Sequence, residues 1–196
     1  AAALNLPNFT IAPNSFITNG EGETEGLEIE AGVTVLEQLN LSLSYSHVES
    51  ELTALNLPTP LPGNPFNYFV PVSVVGESMV LSPENRYTIS ATYLLPIDES
   101  VGEMSLGATY SYTDDQWATF ANKNVEAGLM PDYGILNLNF NWNNVGGSAF
   151  DLSIFGTNVL DEEYKIIANE RVSSGFNAYT YGAPGMYGMR VRYNFE

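Results

Sequence analysis

The sequence predicts an all-β fold, an antiparallel up-and-down transmembrane β-barrel segment of about seven strands. Three observations predict it. Apolar and polar residues alternate with period two in run after run, no stretch has a comparable helical period, and the connections between runs are alternately short and long. Period two sends successive side chains to opposite faces of a strand, so each run offers one apolar and one polar face.

Residues 1 to 22 are expected to be an extracellular loop or the remnant of a preceding strand, and residues 23 to 196 to carry the strands. Leu27, Ile29, Ala31, Val33 and Val35 alternate with Glu28, Glu30, Gly32 and Thr34. After Glu37-Gln38, Leu39, Leu41, Leu43 and Tyr45 alternate with Asn40, Ser42, Ser44 and Ser46, which makes a hairpin. Tyr87, Ile89, Ala91, Tyr93 and Leu95 form the third run, and the turn from Pro96 to Ser100 leads into Met104, Leu106, Ala108, Tyr110 and Tyr112. Leu136, Leu138, Phe140 and Trp142 then alternate with Asn137, Asn139, Asn141 and Asn143, before Asn144-Val145-Gly146-Gly147 returns to Phe150, Leu152 and Ile154. The last run sets Tyr187, Met189, Val191, Tyr193 and Phe195 against Gly188, Arg190, Arg192 and Asn194.

Connections of roughly three to six residues follow the first, third and fifth strands, and roughly fifteen to thirty-five follow the second, fourth and sixth. In an antiparallel meander every other connection falls on the same side, so the long loops share one edge and the tight turns the other. That is the outer-membrane pattern. A soluble β-sandwich alternates as well, and run length and aromatic placement separate the two. Several runs reach about nine to eleven residues, the length of a tilted membrane strand. Tyr45, Tyr110, Tyr112 and Tyr187 fall at the long-loop ends, and Trp142, Tyr193 and Phe195 at the other, as two interfacial girdles would. Glu28, Glu30, Arg86, Glu103, Asp151, Arg190 and Arg192 fall on the polar faces and are expected to line a lumen, pairing across strands or touching an enclosed domain.

Composition excludes other classes. Six Lys and Arg against twenty-three Asp and Glu give a formal charge of −17, which repels nucleic acid. The acidic groups at Glu21 to Glu25, Glu49 and Glu51, Asp114 and Asp115, and Asp161 to Glu163 read as solvated loop charge. There is no cysteine, and the single His47 cannot assemble a His-based metal cluster by itself. No nucleophile stands at a recognisable spacing from it, so no catalytic, metal or cofactor site is expected. The start Ala1-Ala2-Ala3 has no Met and no export signal, so it is not expected to be a native translation start.

Asn158-Val159-Leu160-Asp161-Glu162-Glu163-Tyr164 resembles the Asn-Leu-x-Asp-x-x-Tyr signature near the end of TonB-dependent receptors, and Pro184-Gly185-Met186-Tyr187-Gly188 with the strand to Phe195 resembles their Pro-Arg-x-Tyr-Gly segment and terminal aromatic strand. Glu25 to Ala31 and Leu81 to Tyr87 are similar to further strand starts of the family. Gly185 stands where Arg is usual, and Glu196 follows the Phe that normally ends the chain and is read by the barrel-assembly machinery. The resemblance implies the C-terminal part of a larger, twenty-two-stranded barrel in the bacterial outer membrane. It also implies uptake of a scarce solute (metal chelate, cobalamin or oligosaccharide) with energy from TonB. The plug domain and TonB contact belong to an N-terminal part outside this sequence. Asn158, Asp161, Tyr164, Pro184, Tyr187, Gly188 and Phe195 are read as structural: Asn and Asp bind nearby backbone amides to end a strand, and Tyr164 anchors the loop. Two rivals stand beside this reading. One is a small passive outer-membrane barrel using residues 4 to 18 as an eighth strand, and the other a secreted acidic β-sandwich that binds carbohydrate.

Overall fold

The tight connections set the pairing. Between Val35 and Gln38 the chain turns on Leu36 and Glu37, whose φ of 55° and 62° give the left-handed geometry that matches the twist of a hairpin. After the third strand Asp98 caps a single 3-10 turn, Glu99–Val101, by accepting from the Ser100 N–H at 2.9 Å. After the fifth long run Asn144 (φ 50°) and Gly146 (φ 58°) take the left-handed conformation that Asn and Gly tolerate best.

The computed structural model describes residues 18–57, 74–119, 126–171 and 175–195. Apart from Thr18, the proposed eighth strand lies outside the described residues, as do the Pro58 to Pro65 stretch and Glu196. Seven strands form one antiparallel sheet: β1 (Gly20–Val35), β2 (Leu39–Leu55), β3 (Asn85–Leu94), β4 (Glu103–Thr113), β7 (Tyr133–Asn143), β8 (Phe150–Thr157) and β11 (Met186–Tyr193), hydrogen-bonded in that order. Two short hairpins are built into the long connections: β5 (Gln116–Trp117) with β6 (Leu129–Met130), and β9 (Lys165–Arg171) with β10 (Phe176–Tyr181). Every run expected from the alternation is a strand of the main sheet, and the long connections all leave from one end of it. The sheet is open, with β1 and β11 at its edges, so a closed barrel is not formed among the described residues.

Three boundaries differ from the sequence reading. β1 and β2 run for 16 and 17 residues, so Glu21, Glu23, Glu25, Glu49 and Glu51 lie in paired strands and not in loops. Alternation does not reveal this extension, because both faces are polar there and the ladder continues without an apolar signal. β11 ends at Tyr193, and Phe195 lies beyond it, although Asn194 N–H still reaches Ala149 O at 2.9 Å. The third strand ends at Leu94, not Leu95.

Register unites the apolar residues of seven strands on one face. One row runs Ile29, Tyr45, Tyr87, Tyr112; the next runs Ala31, Leu43, Ile89, Tyr110, Leu136; a third runs Val33, Leu41, Ala91, Ala108, Leu138, Gly156, Tyr187. This face is uncovered: Ile29, Val33, Ile89, Leu106, Leu138, Ile154, Met189 and Val191 are all exposed. The accessible surface is 13896 Å², whereas a globular monomer of 21.4 kDa has about 9,100 Å². Among the described residues only Leu52, Pro83, Met130 and Ala168 are buried apolar side chains, and no second sheet packs on the apolar face as a sandwich requires.

Candidate functional site: the outer ends of the strands

The polar face is built from short hydroxyl and amide side chains. Thr88 pairs with Ser111 and Ser90 with Thr109, each at 3.1 Å, and Asn137, Asn139 and Asn141 continue the same face on β7. Gly107 gives Asn139 its room, since a Cβ there would stand 2.3 Å from Asn139 Oδ1. All seven charged residues singled out from the sequence fall on this face. Glu28 and Arg86 flank Ser46 from either side, and Glu30 faces Ser44. Glu103 Oε1 accepts from Asn143 Nδ2 at 3.3 Å, Arg190 faces Ser153, and Asp151 faces Arg192. The Asp151 carboxylate is used on the tight-turn side, accepting from Asn144 N–H at 3.0 Å and Asn194 Nδ2 at 3.1 Å.

The aromatic residues gather at two levels. On the long-loop side the Tyr87 ring stacks on Tyr112 at 5.1 Å and lies 6.1 Å from Tyr110, with Tyr45 the register partner of Tyr87. Tyr187 stands at the start of β11, 74% exposed on the apolar face. On the other side Phe150, Tyr193 and Phe195 form a ring chain with centroids 4.9 and 4.7 Å apart, and Trp142 Nε1 donates to Val101 O at 2.7 Å. From Met104 to Tyr112 β4 runs through about 27 Å of extended chain, the length that a tilted membrane-spanning strand needs. In the turns beyond, the Ser100 hydroxyl and N–H hold the Asp98 carboxyl below its ordinary range.

The Asn158 to Gly188 segments fasten the last long connection to the sheet. Asn158, 3% exposed, adopts φ 48° and uses its whole amide: Nδ2 donates to Glu162 O (2.9 Å) and Ala183 O (3.0 Å), and Oδ1 accepts from Glu162 N–H (2.9 Å). Its own N–H donates to Asn137 Oδ1 at 3.0 Å. Asp161 (φ 54°) accepts from Gly185 N–H at 2.8 Å, and Tyr187 Oη donates to Val159 O at 3.2 Å. Tyr164 stacks on Tyr133 at 4.5 Å and lies flat over Gly182, where a Cβ would fall 1.9 Å from its ring. Pro184 lies between Ala183 and Gly185, both of which take part, and Gly188 leaves room for the Phe155 ring. Gly185, the departure from the family's Arg, contributes its backbone N–H, and a Cβ there would stand 3.0 Å from Asn158 O.

Sequence reasoning missed the partners brought in from other connections. Lys165 in β9 donates to Leu129 O at 3.2 Å and lies 4.3 Å over the Tyr179 ring, tying the second long connection to the third. At the outer ends of β2, β3 and β4, Asn85 N–H and Nδ2 donate to Asp114 Oδ2 at 3.0 and 2.6 Å, while Asn85 Oδ1 accepts from Tyr45 Oη at 2.8 Å. Here a polar cavity of about 450 Å³ opens among Glu49, Glu84, Asp114, Asp115 and Gln116. A shallow concavity of about 800 Å³ lies on the apolar face, floored by the small residues Ala91, Ala108 and Gly156. It suits hydrocarbon, not a polar solute.

One face fitted to lipid, one polar face and all long connections at one end define a membrane-spanning β-sheet of the outer-membrane kind. The chain belongs to the TonB-dependent receptor β-barrel family: the family model described as "TonB dependent receptor-like, beta-barrel" matches residues 2–159. This is a family of receptors and not of enzymes, and it places the chain in the bacterial outer membrane. A search of the curated proteins finds no match. Among solved structures the chain is similar to the ferric yersiniabactin uptake receptor FyuA from Yersinia pestis, with TM-score 0.69, 14% identity and coverage of 90% of this chain and 24% of that one. It is also similar to the siderophore receptor PiuA from Acinetobacter baumannii (TM-score 0.66, 20% identity, 88% of this chain and 22% of that one). BauA, the ferric preacinetobactin receptor of the same organism, gives TM-score 0.62 and 19% identity over 92% of this chain and 23% of that one. The chain thus spans about a quarter of the length of these relatives.

Proposed function

We propose that these strands are the C-terminal wall and outer loops of a larger barrel that takes up a scarce solute across the outer membrane with energy from TonB. A metal chelate fits best among the solute classes, since FyuA, PiuA and BauA are ferric-chelate or siderophore receptors. The observation that carries the reading is the coincidence of a lipid-fitting face across seven strands with long connections that all open at the same end. Two open edges in lipid would leave rows of backbone N–H and C=O groups unsatisfied, so β1 and β11 call for further strands of the same barrel.

In this reading the apolar face meets outer-membrane lipid and the tyrosine and Trp142–Phe195 levels mark its two interfaces. The Ser, Thr and Asn face with its seven charged residues lines the lumen and meets the plug domain, through which TonB acts. The Asn158 to Gly188 fastening is structural, and the barrel-assembly machinery inserts these strands into the membrane. The segments 51 to 85, 114 to 131 and 159 to 184 help form the extracellular vestibule, with residues 51 to 55 serving as its strand-borne rim. The test deletes the three segments in turn from the full-length receptor and measures ferric-chelate binding on cells where the barrel still reaches the surface. Loss of binding is expected, and unchanged binding in all three deletions would refute the vestibule.

A further inference from the structure

We infer that His47, Glu49 and Glu84 form a binding site for a divalent transition cation of the Zn²⁺ type, on the outward side of the sheet just beyond the tyrosine row. His47 sits one alternation past Tyr45 on the lipid-side face, so the site stands outside the lumen and is independent of the solute transported.

Asn85 sets the tautomer of His47. Its Nδ2 donates to the Asp114 carboxylate, an obligate acceptor, which fixes the amide and turns Oδ1 toward Tyr45 and His47. His47 Nδ1, 3.0 Å from that oxygen, must therefore carry a hydrogen. The neutral ring then points the lone pair of Nε2 at Glu49 Oε1, 3.3 Å away. Two acceptors facing each other require a positive centre between them, which a metal ion or a second ring proton supplies. A tetrahedral ion with bonds of about 2.0–2.1 Å holds its ligand atoms about 3.4 Å apart, close to the gap found here. Glu84 Oε1 lies 4.0 Å from His47 Nδ1, and one potential ligand atom from each of the three residues lies within 4.8 Å of the others, so the exposed Glu84 side chain completes the group by swinging from the Nδ1 side of the ring to the Nε2 side. Imidazole with two carboxylates is a borderline donor set that suits Zn²⁺. The Asp114–Asn85–His47 chain is the outer support such a ligand histidine normally has.

Two further observations point to a cation. Gln116, only 8% exposed, lines the same cavity as Glu49 and Glu84, and its buried Oε1 has no hydrogen-bond partner. A buried acceptor with no donor is stabilised by positive charge in the adjoining cavity. In the β1–β2 register Glu25 lies directly opposite Glu49, and Glu23 opposite Glu51. Like charges so placed repel, and a dication offsets them.

The test titrates Zn²⁺ by calorimetry into the full-length receptor in detergent, stripped of metal beforehand, beside the His47→Ala and Glu84→Gln variants. Heat-shifted gel mobility serves to confirm that each barrel is folded. Each variant is expected to lose one Zn²⁺ site or to weaken it by at least about tenfold, the loss that even removal of an outer partner causes. Identical stoichiometry and affinity in the wild type and both folded variants would overturn the inference and leave a proton between Nε2 and Glu49. Failure of chelate uptake would bear on the transport reading and not on this result.

Discussion

The spanning band and the outer fastening of this sheet are held together by different physics. In the band, ladders of backbone hydrogen bonds run through seven strands, and the apolar face is stable only against lipid. In the fastening, single side chains such as Asn158 close backbone bonds between segments 25 residues apart in sequence. The difference teaches that the band tolerates many sequences that keep the alternation, whereas the fastening depends on particular amides and carboxylates.

Substitutions at matched positions sharpen the contrast. Leu138, midway along β7 on the apolar face, should cost about 2–4 kcal/mol on change to Arg, while Asn139→Arg on the polar face should cost far less. Urea unfolding of the full-length receptor in vesicles reads the difference, and equal costs would break the two-face assignment. In the fastening, Asn158→Ala strands one N–H and two carbonyls of the chain, for a loss of about 3 kcal/mol at about 1 kcal/mol per bond, read by the same assay. A loss near zero would mean that water replaces the amide. Tyr164→Ala removes the stack on Tyr133 and should cost roughly 1 kcal/mol, with the band's own stability otherwise unchanged.

The smallest effect belongs to the tight-turn side. The folded Asp98 carboxyl is held low by Ser100, so its contribution is complete above the ordinary carboxylate range and is lost as pH falls through the lowered folded value. Asp98→Asn should therefore melt below the wild type at neutral pH and approach it in acid. A gap that does not change with pH would remove Asp98 as a charged cap.

Much of the band was legible because alternation is a local signal: Leu136 to Asn143 announces a strand and its faces within eight residues. The outer parts of β1 and β2 were not, since Glu21 to Glu25 and Glu49 to Glu51 have no apolar face to betray a strand. The hairpins β5–β6 and β9–β10 were hidden for a related reason, being short and paired only with themselves. The Asn158 segment was recognised as a strand stop, but its bond to Ala183 joins residues whose proximity exists only after folding. His47 looked isolated along the chain, and it is the β2–β3 pairing that brings Asn85 and Glu84 to it.

With no cysteine in this chain, and any outside it replaced by serine, the central claim is directly measurable. Single cysteines placed in turn from Leu136 to Asn143 of the full-length receptor in vesicles, each carrying a nitroxide, report collision with oxygen from lipid and with a nickel chelate from water. Oxygen maxima are expected at Leu136, Leu138, Phe140 and Trp142 and nickel maxima at Asn137, Asn139 and Asn141, an alternation of period two. Accessibility without alternation, or with nickel maxima at the leucines, would contradict a sheet with one face in lipid and the other in a lumen.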